Sequence, residues 1–279
     1  MRAGLVQLTS SDEPTENLAA ATATIRRAAA DGARLVLTPE VTNCVSASRR
    51  RQNEVLRAEA EDPVLDGLRD LAAELGIHLL IGSLALKTEG ARFANRSLLV
   101  APDGAIAARY DKIHMFDVDL GGGEAYRESD GFRPGARAVT AALPGGPVLG
   151  LSICYDLRFA ALYRTLAQAG AQVLTVPSAF TRPTGRAHWE PLLRARAIET
   201  GCYVLAPAQT GDHPARAGRS RSTWGHSMAV SPWGEVLLDM GDAPGAAVVD
   251  LDLDTVAEAR RRIPSLAHDR PFRPPVSDD

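Results

Sequence analysis

The chain has 279 residues, 45% of them hydrophobic, enough for one large core, and no linker, low-complexity tract or internal repeat marks a domain boundary. A formal charge of −3 leaves no footprint for nucleic acid or an anionic membrane, and no stretch approaches the roughly 18–20 apolar residues that span a bilayer. The opening residues run directly into a strand, Ala3 to Leu8, with no signal-peptide pattern, so a cytoplasmic protein is expected, with one domain over 1–267 and an extended tail over 268–279.

Pro14 begins a helix with Leu18, Ala21, Ile25 and Ala28 on one face, ending near Gly32. Arg34 to Thr38 reads as a strand, with Pro39 and Glu40 at its end. Val64 to Leu75 is helical, Gly76 ends it, and Ile77 to Leu84 is the next strand. Arg96 to Ala101 and Ile106 to Tyr110 flank Pro102-Asp103-Gly104, a hairpin signal. Val148 to Ile153 is a buried strand leading to Cys154, and Phe159 to Gln168 is helical. After Gly170 the alternation resumes: a strand over Gln172–Val176, a helix over Arg186–Thr200 and a strand over Cys202–Pro207. Gly225 to Val230 and Glu235 to Asp239 form a second hairpin, Ala246 to Leu251 closes the strand series, and a helix starts at Asp254. Alternating strand–helix units with hairpins predict an α/β fold with a mixed sheet system and helices outside. The arginine runs at 49–51 and 260–262, interleaved with acids, are expected to be solvated helix faces.

Three polar residues fall just past strand ends, where α/β folds place their sites: Glu40, Lys112 and Cys154. Together they supply a base, a cation and a nucleophile, the parts that acyl transfer needs. Cys44, Cys154 and Cys202 are an odd, sparse set without CxxC spacing, which argues against a disulfide framework or structural zinc. Cys154 lies between a buried strand and a helix start, where the positive helix end would favour the thiolate. Cys202 sits inside a strand and fits an inert core thiol; Cys44 is four residues past Glu40. Lysine is scarce, with Lys87 and Lys112 alone among 31 basic residues. A compact ammonium retained at 112 suits an oxyanion better than a planar fork does.

Competing constellations are poor. None of the histidines carries a papain-type partner signature, His114 reads as a local hydrogen-bonding residue, and no HExxH-like metal pair exists. Gly121-Gly-Gly123 lacks the Lys-Ser/Thr of a phosphate loop and is expected to be a flexible lid. Trp189, Trp224 and Trp233 are expected in the core.

Thr38-Pro-Glu40, Tyr110-Asp-Lys-Ile-His114 and Ile153-Cys-Tyr-Asp-Leu-Arg-Phe159 resemble, in order, the three signature segments of the nitrilase (carbon–nitrogen hydrolase) superfamily. The resemblance implies a four-layer α-β-β-α sandwich that dimerises, and a Glu40–Lys112–Cys154 triad that hydrolyses an amide to acid and ammonia through a thioester. It also implies that Glu128 supports the triad, with the Tyr155 N–H at the oxyanion and the tail at the dimer interface. Pro177-Ser-Ala-Phe180, Leu193-Arg-Ala-Arg-Ala-Ile-Glu199 and Gly225-His-Ser-Met228 are similar to the branch that holds deaminated glutathione amidase and omega-amidase. That branch implies a small carboxylate-bearing amide as substrate, with no metal or organic cofactor. Arg158, Phe180, Arg182, Thr184 and Arg194 are the candidate substrate contacts, although Arg194 also suits an i,i+4 pair with Glu190. An N-acyltransferase using the same thioester and a silent scaffold protein are the alternatives. Where relatives read Arg-Phe-Pro-Glu after the nucleophile, this chain has Arg158-Phe-Ala-Ala161, which would loosen the following helix start.

Overall fold

The structure is a computed structural model, and it describes residues 1–121 and 125–273. The first half of the chain supplies β1 (Arg2–Gln7), α1 (Pro14–Ala30), β2 (Leu35–Leu37), α2 (Arg49–Val55), α3 (Pro63–Leu75), β3 (His78–Leu86), β4 (Ala94–Val100) and β5 (Ile106–Asp111). A short hairpin, β6 (Asp117–Asp119) with β7 (Ala125–Arg127), follows. The second half supplies β8 (Val139–Ala142), β9 (Val148–Leu151), α4 (Ala160–Gln168), β10 (Val173–Thr175), α5 (Arg182–Thr200) and β11 (Tyr203–Ala206). Then come the hairpin β12 (Thr210–His213) and β13 (Arg221–Trp224), β14 (Met228–Val230), β15 (Val236–Asp239), β16 (Gly245–Asp250) and α6 (Asp254–Arg262).

These strands form two six-stranded sheets, ordered β16-β1-β2-β3-β4-β5 and β15-β14-β11-β10-β9-β8. In each, three parallel strands are the continuous apolar runs expected of strands covered on both faces. Between the sheets, Leu5, Leu35, Leu37, Leu80 and Leu99 face Leu149, Leu151, Val173 and Leu205, and the same cluster continues on the other face of the second sheet, where Leu174 and Val204 lie on the side of Leu166 of α4 and Leu193 of α5. On the opposite face of the first sheet, Val36, Leu79 and Ile81 pack with Ile25 of α1 and Leu68 of α3. The four layers are therefore α-β-β-α, as the resemblance implied.

Local signals explain the helix bounds. Asp62 caps α3 by accepting from the Val64 and Leu65 N–H groups at 3.0 and 2.9 Å, Pro63 follows it, and Gly76 ends the helix at φ 62°. In α1 the buried position is Asn17 rather than Leu18, because its amide donates to the Ser11 and Asn43 carbonyls at 2.9 and 2.8 Å. α5 starts at Arg182, four residues before the expected 186, with Pro183 in its first turn. α4 starts at Ala160 with no side-chain cap, and Ala160 and Ala161 are both exposed, so the missing Pro-Glu leaves the helix in place.

Two expectations fail at the surface. Trp233 is 45% exposed beneath Arg262 rather than in the core. The arginine runs are only partly solvated: Arg51 pairs with Glu13 at 2.7 Å, and Arg260 donates to the Ala171 carbonyl at 2.6 Å and to Cys202 at 3.0 Å.

Gly82 fixes how closely the two halves approach. A Cβ there would lie 1.8 Å from the Thr38 oxygen and 2.5 Å from the Pro177 Cβ. Thr38 leads into Glu40, and the Pro177 carbonyl accepts the Cys154 N–H at 2.9 Å. The missing side chain lets the loops carrying Glu40 and Cys154 converge.

Candidate active site

β9 ends at Leu151, two residues earlier than its apolar run suggests, and Cys154 opens a five-residue 3-10 turn, Cys154–Arg158, rather than the α-helix itself. Cys154 has φ 51°, a left-handed conformation that is costly outside glycine and persists only where surrounding contacts impose it. Asp156, fully buried, is the main such contact. Its carboxylate accepts from the Ile153 N–H at 2.9 Å, the Tyr110 hydroxyl at 2.6 Å and the His114 N–H at 3.0 Å, and meets His114 Nδ1 at 2.7 Å. Tyr110 and His114 bracket Lys112, so Asp156 ties the Cys154 turn to the lysine segment. The local role expected of His114 is the one observed.

Glu40 follows β2 and is 4% exposed. The next residue, Val41, has φ 47°, a rare conformation for a β-branched residue, and its N–H donates to Ser83 Oγ at 2.7 Å. Gln209 Nε2 holds the Glu40 carbonyl at 3.0 Å from the second half of the chain. Lys112 anchors its own N–H on the Asn95 carbonyl at 2.9 Å. Its ammonium donates to Glu40 Oε1 at 2.9 Å and to Glu128 Oε1 and Oε2 at 2.9 and 2.8 Å. Asn95 Nδ2 reinforces the pair, donating to Glu40 Oε1 at 2.9 Å and lying 3.4 Å from Glu128 Oε1.

Electrostatics sets the resting protonation. Burial pushes the Glu40 carboxyl up, but Lys112, Arg221 and hydrogen bonds from Cys154 and Lys112 outweigh it and hold the group below its usual range. Burial opposes the Lys112 charge, yet Glu128, Glu40 and Cys154 raise its pKa overall. Burial and then Glu40 push the Cys154 thiol well up, against the smaller pulls of Lys112 and the Ala179 N–H. The expected helix-end stabilisation of the thiolate is not what the geometry provides: a 3-10 turn separates Cys154 from the start of α4, and burial and the neighbouring Glu40 carboxylate push the thiol up rather than down.

The three residues open onto a cavity of about 600 Å³. Of the expected contacts, Tyr155, Phe180, Arg182 and Thr184 line it, as do Glu128 and Cys44. Burial pushes the Cys44 thiol up to about 12, so its neighbourhood does not activate it. The Tyr155 N–H donates to no group among the described residues. Arg182 pairs with Asp212 at 3.1 Å. Two expected contacts lie elsewhere. Arg158 stacks 5.8 Å from the ring centroids of Tyr155 and Phe180, and Arg194 is held by Glu190 at 3.2 Å and the Gly234 carbonyl at 2.8 Å. Trp189 is core, its indole donating to the His226 carbonyl at 2.8 Å while its ring braces Phe180. Cys202 is fully buried. The glycine segment 121–123 falls partly outside the described residues, so the expected lid is described only at Gly121.

Asn95, Arg127, Arg219 and Arg221 also line the cavity and were not singled out in the sequence, and Arg49, expected on a solvated helix face, opens α2 at the cavity. Asn95 sits in a strand beside Lys112 and carries no motif. Arg127 and Arg221 arrive on hairpins and Arg219 on the loop between β12 and β13, and no local pattern assigns them to the site. Among the described residues no cluster of three or more His, Cys, Asp or Glu is arranged to hold a metal, and no helix is long and apolar enough to cross a membrane.

A family model described as carbon-nitrogen hydrolase matches residues 2–261. Deaminated glutathione amidase of Yersinia enterocolitica is 40% identical over 271 residues, covering 95% of this chain and 92% of the relative. The enzyme of that name from Synechocystis sp. is 40% identical over 280 residues, covering 95% and 97%. The crystal structure of the C. elegans NitFhit protein superposes with a TM-score of 0.86 at 36% identity, covering 96% of this chain and 65% of that one.

Proposed function

Because the chain belongs to the carbon–nitrogen hydrolase family and is an amidase of it, we propose that Glu40, Lys112 and Cys154 carry the reaction and that the substrate is a small carboxylate-bearing amide of the deaminated glutathione type. The observation that carries this reading is the ammonium of Lys112, clamped between Glu40 and Glu128 at the cavity that Cys154 lines. Glu40 takes the thiol proton as Cys154 Sγ attacks the amide carbonyl. Lys112 and the free Tyr155 N–H receive the oxyanion, a donor of this kind contributing about 10²–10³ in rate. As the tetrahedral intermediate collapses, the C–N bond breaks and Glu40 passes the proton to the departing ammonia or amine, leaving a thioester. Glu40 then removes a proton from water, whose oxygen attacks the thioester carbonyl, and the returned proton restores the Cys154 thiol. Glu128 holds Lys112 charged and in place.

The test is amide hydrolysis by the wild type and by Cys154→Ala, with deaminated glutathione, alpha-ketoglutaramate, a neutral aliphatic amide and a nitrile as substrates. Turnover of the first that vanishes in Cys154→Ala is the expected result; a preference for alpha-ketoglutaramate would reassign the substrate, and for the nitrile the reaction.

A cytoplasmic homodimer completes the reading. The three thiols are unpaired, and the exposed Ile198, Trp233 and Ile263, which line one surface depression, suit a second copy. Light scattering after size-exclusion chromatography checks the dimer.

A further inference from the structure

Of the five arginines that line the cavity, Arg221 alone is half-buried with a donor that has no partner; Arg127 is exposed and donates to the Val118 and Tyr126 carbonyls. Arg182 is neutralised by Asp212, Arg49 lies 4.9 Å over the Phe93 ring and donates to the Gly131 carbonyl, and Arg219 is exposed to solvent. Arg221 makes a 2.8 Å hydrogen bond from Nη2 to the Ala179 carbonyl and lies 5.8 Å from the Tyr126 ring centroid, and its Nε is sealed from water without a partner. No carboxylate among the described residues lies within ion-pair distance of it. An arginine that lines a cavity with no carboxylate within ion-pair distance has guanidinium donors left over beyond the sealed Nε and the Nη2 bond to Ala179, and an anion entering the cavity can accept from them.

The position of the guanidinium restricts that anion. The carbonyl that Arg221 holds belongs to Ala179, which lines the cavity together with Cys154. The Arg221 charge is also felt at Glu40. A carboxylate drawn to Arg221 sits only a few bonds from a carbonyl at Cys154.

We propose that Arg221 is the specificity-determining contact of this site, binding a substrate carboxylate a few atoms from the scissile amide and so selecting short acidic amides over neutral ones. The proposal rests on the amidase reading with Cys154 as nucleophile. It differs from the contacts anticipated in the sequence, since the cation is delivered by the β12–β13 hairpin and not by the residues that follow Cys154 or by α5.

The experiment compares ammonia release from glutaramate and from pentanamide, which have the same chain length and differ in the carboxylate. The readout is the ratio of their kcat/KM values, in which any general loss of activity cancels. The wild type is expected to prefer glutaramate. In Arg221→Gln the ratio should fall about 10- to 100-fold, mainly through KM of the acidic amide, as for loss of one charge-assisted hydrogen-bonded contact. Arg221→Lys, which keeps the charge without the planar fork, should show a smaller fall, and it decides the matter if the glutamine variant does not fold. Arg194→Gln, outside the cavity, should leave the ratio at the wild-type value. A ratio unchanged in both Arg221 variants overturns the proposal. A wild type that hydrolyses both amides equally well overturns the acidic-substrate reading itself, a different failure from a wrong choice of residue.

Discussion

At the scale of single residues the site turns on one proton. Cys154 is buried beside Glu40: burial first and the carboxylate second raise the thiol, while Lys112 and Arg221 outweigh burial to hold the carboxyl below its usual range. Glu40→Gln should therefore have two effects of opposite sign. Amide turnover should fall about 10²–10⁴-fold with the loss of the base. Alkylation of Cys154 by iodoacetamide should become faster at the same pH, because a charge opposing the thiolate is gone. Peptide-resolved mass spectrometry of the alkylated protein reads the second effect, and slower alkylation would sink this account of the thiol. Sequence alone could not supply the sign. It showed a cysteine between a strand and a helix, but the strand stops at Leu151 and a 3-10 turn intervenes, so burial and Glu40 govern the thiol rather than a helix end.

At the scale of elements, the site is assembled by buried polar ties. Asp156 joins the turn after β9 to the segment after β5, and its loss leaves the Ile153 N–H, the His114 N–H and the Tyr110 hydroxyl without their acceptor. Asp156→Ala should cost about 3 kcal/mol or more by urea denaturation, since each unsatisfied buried donor costs about 1–3 kcal/mol. It should also lower kcat, because the left-handed backbone at Cys154 is no longer held. These ties explain what was legible and what was not. Glu40, Lys112 and Cys154 could be read because each lies in a short local signature at a strand end. Asn95 and Arg221 could not, because one is an ordinary strand residue and the other arrives on a hairpin whose partner elements are distant in sequence.

At the scale of the whole molecule, long-range polar contacts close the two halves around the cavity. His213 is one of them, its Nδ1 at 2.7 Å from the Ser10 carbonyl and its Nε2 at 2.7 Å from Thr223 Oγ1. Burial pushes its pKa from 6.5 to about 4. Between those values the unfolded chain binds a proton that the folded chain refuses, so stability is fully present above pH 6.5 and is lost as pH falls toward about 4. The loss from this group is about 3 kcal/mol, at 1.36 kcal/mol per unit of pKa. Thermal melts across that range should show the slope, and His213→Gln should flatten it. Strand–helix alternation gave a mixed sheet system with helices outside and the family resemblance gave its four layers, whereas the pairing of β16 with β1 was not readable, because it joins segments some 240 residues apart.

The protonation of Cys154 also bears on oxidative damage. Peroxide attacks thiolates, and a thiolate nucleophile lying idle between turnovers is exposed to conversion into sulfenic and then irreversible sulfinic acid. Burial and Glu40 both push the Cys154 thiol up, away from the thiolate that peroxide attacks. On the proposed mechanism the carboxylate that shields the sulfur from oxidation is the same one that would take its proton when substrate is bound.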